Sequence, residues 1–312
     1  MTRKRTLAAR RRRRGVALVT TLWIITLLTV IAGSLTLGMR REAGIVHYLQ
    51  QVTEARTLAE GGIHHAALML SHPQPEQRWS GDGALRRIVL GDREIWVRVR
   101  DAAAYVDLNH APGELLDALL LSAGADEAAQ RSRLVDNILD WRDPSPERRL
   151  HGDGAAGYAA AGRADGPRNG PFPAVEELQR VLGITPTVYR RVAPWLTVYS
   201  GVAGIAPEIA DPRLLTALSA AEPVVLDGFV QEREAALAQG RPGPAFPGAF
   251  AHVASPAGIA YIVESFVVLP GGGSAGLRAT LVPANDGGGK PFTIVAYRDR
   301  GRVTGAGDGA SR

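Results

Sequence analysis

RRRRGVALVTTLWIITLLTVIAGSLTLGM, residues 11–39, decides how the rest of the chain is read. A block of five arginines, Arg10 to Arg14, ends at Gly15, and no charged residue follows until Arg40. The uncharged run, 16–39, has 24 residues. A helix of that length rises about 36 Å, enough for a hydrocarbon core of about 30 Å. Five threonines and a serine interrupt it, but hydroxyls bond back to the preceding helical turn and are tolerated in an apolar helix. The spacing predicts a membrane-spanning helix over 16–39.

Upstream of this run, Arg3, Lys4, Arg5 and Arg10 to Arg14 carry eight positive charges with no acidic residue among them. The whole chain of 312 residues is only +5, so the remainder is −3. The basic character therefore belongs to the terminus and not to a folded face, which argues against a broad nucleic-acid surface. Beside an apolar run it reads as a topology signal that keeps the N-terminus cytoplasmic. A cleavable secretory signal would need a shorter apolar stretch, of about 7–15 residues, followed by a small-residue cleavage site. A plain single-pass anchor is the simplest alternative.

Downstream, apolar residues recur at three- and four-residue steps through Ile45, Tyr48, Leu49, Val52, Ala55, Leu58, Ala59, Ile63, Ala66 and Leu70, and Pro73 and Pro75 follow. This pattern predicts one continuous helix over 16–72, apolar all round in its first half and striped in its second. The stripe Ile45, Leu49, Val52, Ala59 and Ile63 is expected to face a partner helix, since bundles bury such stripes.

Beyond the helix, residues 85–101 alternate around Gly91-Asp92, the pattern of a β-hairpin with Ile95, Val97 and Val99 inward. Trp96, Arg98 and Arg100 share the other face, expected to be solvated. From Asp107 the pattern turns helical. Asn109 is a candidate N-cap before a stripe of Leu115, Leu116, Leu119 and Leu120. A second helix buries Leu134, Val135, Ile138, Leu139 and Trp141 and stops at Pro144. Residues 151–170, rich in glycine and alanine, are expected to form a surface loop. Two short helices meet at Gly183, and Phe229 to Gln239 reads as another. PEIADPRLLTALSA loosely echoes DLNHAPGELLDALL. Three further strands are expected within 260–297, and a disordered tail over 301–312.

A basic leader, a glycine and a long half-apolar helix resemble the type IV pilin and type II secretion pseudopilin class. That resemblance implies cleavage between Gly15 and Val16 by a prepilin peptidase, with N-methylation of Val16. Major pilins carry glutamate at the fifth mature position, where this chain has Thr20. DLNHAP followed by LLDALL, then NILDWRD, then RNGPFPAVEELQRVLGITPTVYRRVAPWLTVYS resemble, in order, the motifs of the general secretion pathway protein K family, whose members typically lack that glutamate.

The resemblance implies an α+β fold: a pilin-like long N-terminal helix plus an antiparallel sheet, with a large inserted all-helical domain. Its expected layout is a leader over 1–15, the long helix over 16–72, the sheet over 73–104 and 255–300, and the helical insertion over 105–254. It implies no enzymatic activity, and the sequence agrees. The chain has no GxSxG, P-loop or HExxH motif, its seven histidines are scattered, and it has no cysteine. It also implies calcium in the helical domain, for which Asp140, Asp143 and Asp153 are the candidate ligands. The chain departs from the family there, reading PSPE over 144–147 and GDGAAG over 152–157.

The implied role is that of a minor pseudopilin at the pseudopilus tip, in the inner membrane with its bulk periplasmic. Expected partners are the I- and J-type minor pseudopilins, the major pseudopilin, the prepilin peptidase and the inner-membrane assembly platform. The alternatives are a minor pilin of a type IV pilus and a membrane-anchored DNA receptor. The latter would use the Gly183 turn as a helix-hairpin-helix element; Pro186 removes an amide donor there and favours a packing role.

Overall fold

The computed structural model describes residues 6–163, 166–219, 221–241, 243–247, 252–269, 274–284 and 291–299. The tail expected over 301–312 lies outside them. The chain divides into two compact units, residues 1–55 and 56–312.

Helix α1, Thr6–Leu70, is continuous for 65 residues. Its apolar segment is self-sufficient in hydrogen bonding, as lipid requires. Thr20 and Thr21 donate to Ala17 O at 2.9 and 3.0 Å, Thr26 to Leu22 O and Thr29 to Ile25 O, each at 2.8 Å. The hydroxyls thus follow the back-bonding expected of them.

The second unit is built on a five-stranded antiparallel sheet. Its strands are β1 (Asp82–Leu90), β2 (Arg93–Asp101), β5 (Tyr261–Val268), β6 (Ser274–Pro283) and β7 (Phe292–Asp299), in the order β1-β2-β5-β6-β7. The hairpin turns at Gly91, whose φ of 63° suits a residue without a Cβ. Ile95, Val97 and Val99 of β2 and Val263, Ser265 and Val267 of β5 pair across the sheet and are buried. The end of α1 packs on this face. A Cβ on Gly62 would collide with Ser265 Oγ and come within 2.9 Å of Ile95 Cγ2, so the helix approaches the strands through a position that admits no side chain. Ala59, Ile63 and Ala66 flank it and are fully buried.

Residues 102–260 form an excursion between two adjacent strands. β2 ends at Asp101 and β5 begins at Tyr261, directly opposite it. The buried Asp101 carboxylate ties the exit to the return. Oδ1 accepts from Ala103 N at 2.8 Å and Oδ2 from Gly258 N at 2.7 Å. Ala103, Ala104, Tyr105, Ala206, Ile209 and Ile262 make a small core at this junction.

The excursion is mostly helical: α2 (Gly113–Ser122), α3 (Ala128–Arg142), α4 (Gly154–Ala160), α5 (Pro186–Val192), α6 (Pro212–Leu218) and α7 (Pro223–Ala238). A short parallel pair, β3 (Val106–Asp107) and β4 (Leu196–Thr197), joins its first and later parts.

Three sequence expectations are corrected. The stretch 151–170 is not all loop: α4 lies in it and buries Tyr158. Alanine's helix propensity, with Tyr158 as anchor, outweighs the glycines there. The outer face of β2 is not simply solvated: the Arg100 side chain is 12% exposed and lies 3.9 Å from Asp211. Asn109 is not an N-cap. Pro112 holds that position in α2, and Asn109 is used elsewhere.

Candidate functional site

The sequence motifs converge on the packing of one domain. Asp107, fully buried, accepts from Asn109 N at 2.8 Å through Oδ1. Through Oδ2 it accepts from Ser200 Oγ at 3.0 Å and Gly201 N at 2.9 Å. Asn109 then reads the backbone of Phe172 on both sides: Oδ1 accepts from Phe172 N at 2.7 Å, and Nδ2 donates to Phe172 O at 3.0 Å. Arg142, at the end of α3, donates to Leu108 O at 2.6 Å and Ala111 O at 2.8 Å. Burial lowers its pKa from the ordinary value, but an arginine remains cationic. DLNHAP is therefore a connector that fastens α3, the Phe172 segment and the Ser200 segment to one point.

Trp141 stands at the centre of the domain core. Its ring lies 6.2 Å from Phe172 and 5.9 Å from Tyr158, centroid to centroid, and Nε1 donates to Glu177 Oε1 at 3.0 Å. Tyr158 accepts from Leu182 N at 2.8 Å through its hydroxyl. Single-sequence reading placed Trp141 in the core but missed the polar roles of Asp101, Asp107, Asn109 and Arg142. Their partners lie up to 157 residues away, and only the residue type (short polar side chains inside apolar runs) hinted at them.

The turn at Gly183 is a packing device. Its φ is 89°, and a Cβ there would lie 2.7 Å from Leu134 Cδ2. Thr185 caps α5 by accepting from Val188 N, while Asn137 Nδ2 donates to Leu182 O at 3.0 Å. The turn is seated on α3 and its polar groups are engaged within the domain.

The three candidate metal ligands are held by arginines. Asp140 accepts from Arg149 Nη1 at 2.8 Å and from Arg149 N at 3.2 Å. Asp143 Oδ2 accepts from Arg149 Nη2 at 3.0 Å and Oδ1 from Ser145 N at 3.0 Å. Asp153 accepts from Arg133 Nε at 2.9 Å through both oxygens and from Asn137 Nδ2 at 2.6 Å. The Ser145 amide and then Arg149 hold the Asp143 carboxyl below the usual carboxylate range, and Arg133 does so for Asp153. Among the described residues no group of three or more His, Asp or Glu side chains is gathered for a metal. The calcium site expected at Asp140, Asp143 and Asp153 does not fit this arrangement.

Of the remaining candidates, Gly15 and Val16 lie within α1, where the described side chains begin at Ala17. Ala17–Leu35 is long and apolar enough to cross a membrane, with a mean hydropathy of 2.1. Its large apolar side chains are exposed, Leu18 by 73% and Trp23 by 72%. The expected partner stripe divides. Ile45 and Leu49 are exposed and Val52 is half-buried, but Ala59 and Ile63 are fully buried within the chain. Placing Ala59 and Ile63 on a partner face is corrected: the chain's own sheet already covers them.

Residues 99–201 match the family model described as Type II secretion system (T2SS), protein K. Over that segment the chain is similar to protein K. The matched segment runs from the end of β2 to the Ser200–Gly201 staple, so it encloses the DLNHAP connector, the Trp141 core and the Gly183 turn. A putative type II secretion system protein K of Escherichia coli (strain K12) is 26% identical over 204 residues, and the type II secretion system protein K of Klebsiella pneumoniae 27% over 211. Each alignment covers 59% of this chain and 62% of the relative, so the chain spans less than two thirds of either. A solved structure titled as the GspK-GspI-GspJ complex from the enterotoxigenic Escherichia coli type 2 secretion system is 16% identical, with a TM-score of 0.49 over 83% of this chain and 99% of that one. The names of the family and of both relatives place protein K in type II secretion systems.

Proposed function

We propose that this protein is a minor pseudopilin of a type II secretion system, placed at the pseudopilus tip and assisting the start of assembly. The observation that carries the reading is the insertion of a protein K domain between neighbouring strands of a sheet that is packed on the end of a 65-residue helix. An apolar first half suits a helix that leaves a bilayer for a bundle of like helices. The exposed Ile45 and Leu49 supply the helix-in-bundle contact.

In this reading the arginine-rich terminus is retained in the cytoplasm. Prepilin peptidase cuts between Gly15 and Val16, and Val16 becomes the methylated first residue. The folded unit lies in the periplasm and leaves the inner membrane with the growing pseudopilus. Some 150 residues of helical insertion make a head too broad for another subunit to stack above it, which suits a tip and not a shaft. Partners are the I- and J-type minor pseudopilins below it, the major pseudopilin and the assembly platform.

The test is deletion and complementation in the native host, with copy number measured by quantitative mass spectrometry. Loss of type II export on deletion, its recovery with the wild-type chain and an abundance far below the major pseudopilin support the reading. Export unchanged by deletion, or parity with the major pseudopilin, contradicts it.

A further inference from the structure

The residues that a calcium site would draw on are committed to internal cations. Calcium takes about 6–8 oxygen ligands at about 2.3–2.6 Å. Here Asp140 and Asp143, 6% and 33% exposed, are bridged by one guanidinium, with Arg149 Nη1 on the first and Nη2 on the second. Asp153, 10% exposed, faces Arg133. A dication entering this place would have to displace two arginines that already neutralise the carboxylates, and would meet their repulsion before doing so.

The geometry assigns those arginines a positive role. Arg133, Asp136, Asn137 and Asp140 recur at three- and four-residue steps along α3 and so share one face of it. The chain after Pro144 returns across that face, and each step is fastened. Arg149 binds Asp140 by backbone and side chain together. His151 N donates to Asp136 Oδ2 at 2.9 Å. Asp153 N donates to Asn137 Oδ1 at 2.8 Å. Gly152 passes so close that a Cβ would collide with Asp140 Oδ2. The loop is thus drawn onto the helix by a covalently attached cation at the point where a metal ion would otherwise gather carboxylates from helix and loop.

We propose that Arg149, bridging Asp140 and Asp143, replaces calcium as the cation that clamps the 143–153 loop to α3, so that the helical domain folds independently of calcium. A side-chain cation adds no dependence on ion supply and loses no affinity when the surrounding solution is poor in calcium. The inference concerns the folding of the domain and stands apart from the assembly role proposed above.

The experiment is amide hydrogen exchange on the full-length protein in detergent, in millimolar calcium chloride and in EGTA. Compared are the wild type, Arg149→Met, which keeps the bulk and removes the charge, and Arg149→Lys, which keeps the charge and loses the bidentate bridge. The wild-type loop should exchange at the same rate in both solutions. Arg149→Met should expose the amides of residues 149–153 to roughly ten- to hundredfold faster exchange in EGTA, with Arg149→Lys between the two. A wild-type loop that calcium protects would overturn the proposal, and so would an Arg149→Met loop whose protection is unchanged.

Discussion

At the scale of single residues, the domain depends on a few buried polar groups, each matched to partners far away in sequence. Asn109 is the clearest. Replacing it with alanine leaves both the N–H and the C=O of Phe172 without their side-chain partners, at a cost of about 1–3 kcal/mol. Urea denaturation of the Asn109→Ala protein should show a lower midpoint, by that loss divided by the slope, with the slope unchanged. Trp141→Ala removes the ring that Tyr158 and Phe172 pack against and should cost about 3–5 kcal/mol. Two aspartates contribute to the acid limit. Asp143 and Asp153 titrate below their ordinary range in the folded state because amide and guanidinium donors favour the carboxylate. Their contribution is therefore complete above the unfolded value near ~4 and is lost as pH falls through the folded values. Stability followed by denaturation should be flat on this account from neutral pH to about 5 and fall below it. Asp153→Asn should remove part of that fall; an unaltered acid limb in this variant would exclude Asp153 from it.

At the scale of elements, two glycines set how closely helices approach their neighbours. Gly62 lets α1 lie against Ile95, Val97 and Ser265, and Gly62→Leu should cost about 1–3 kcal/mol or more by overpacking. Gly183 combines a positive φ with contact on Leu134, so Gly183→Val should cost at least about 2 kcal/mol. Thermal melts of either variant that match the wild type would show that the closeness is not needed. The elements were legible in the sequence where periodicity was strong. The β1–β2 hairpin, the stripe of α2 and the buried side of α3 are all where alternation and three-four spacing put them. They were illegible where context overrode composition. The helix α4 hid in a glycine-alanine stretch because its one bulky anchor, Tyr158, is paid for by a core that local reading cannot see. Ala59 and Ile63 looked like a partner face because a stripe shows that something covers it, not whether the cover is another chain. Asp140, Asp143 and Asp153 looked like ligands because carboxylates were visible and the arginines that neutralise them, six to twenty residues away in the chain, could not be paired with them from spacing alone.

At the scale of the whole molecule, the chain combines a membrane-length apolar helix, an antiparallel sheet and a helical insertion between two adjacent strands whose first part matches the protein K family model. Processing is testable directly. On this account, protein isolated from cells with active prepilin peptidase begins at N-methylated Val16, as read by intact-mass and terminal-peptide analysis; a chain that keeps its arginines in such cells is not processed as a pseudopilin. A membrane-spanning apolar run carries its own expectation, that Leu22→Arg or Ile25→Arg within it releases the protein from the membrane fraction or prevents its accumulation there. The measurement that bears most directly on the central claim is co-purification of the full-length protein from detergent-solubilised membranes of its own host, with the bound proteins identified by mass spectrometry. The account predicts recovery of the I- and J-type minor pseudopilins in near-equal amounts with this chain. Recovery of the chain without them, or with pilins of a type IV pilus in their place, would contradict it.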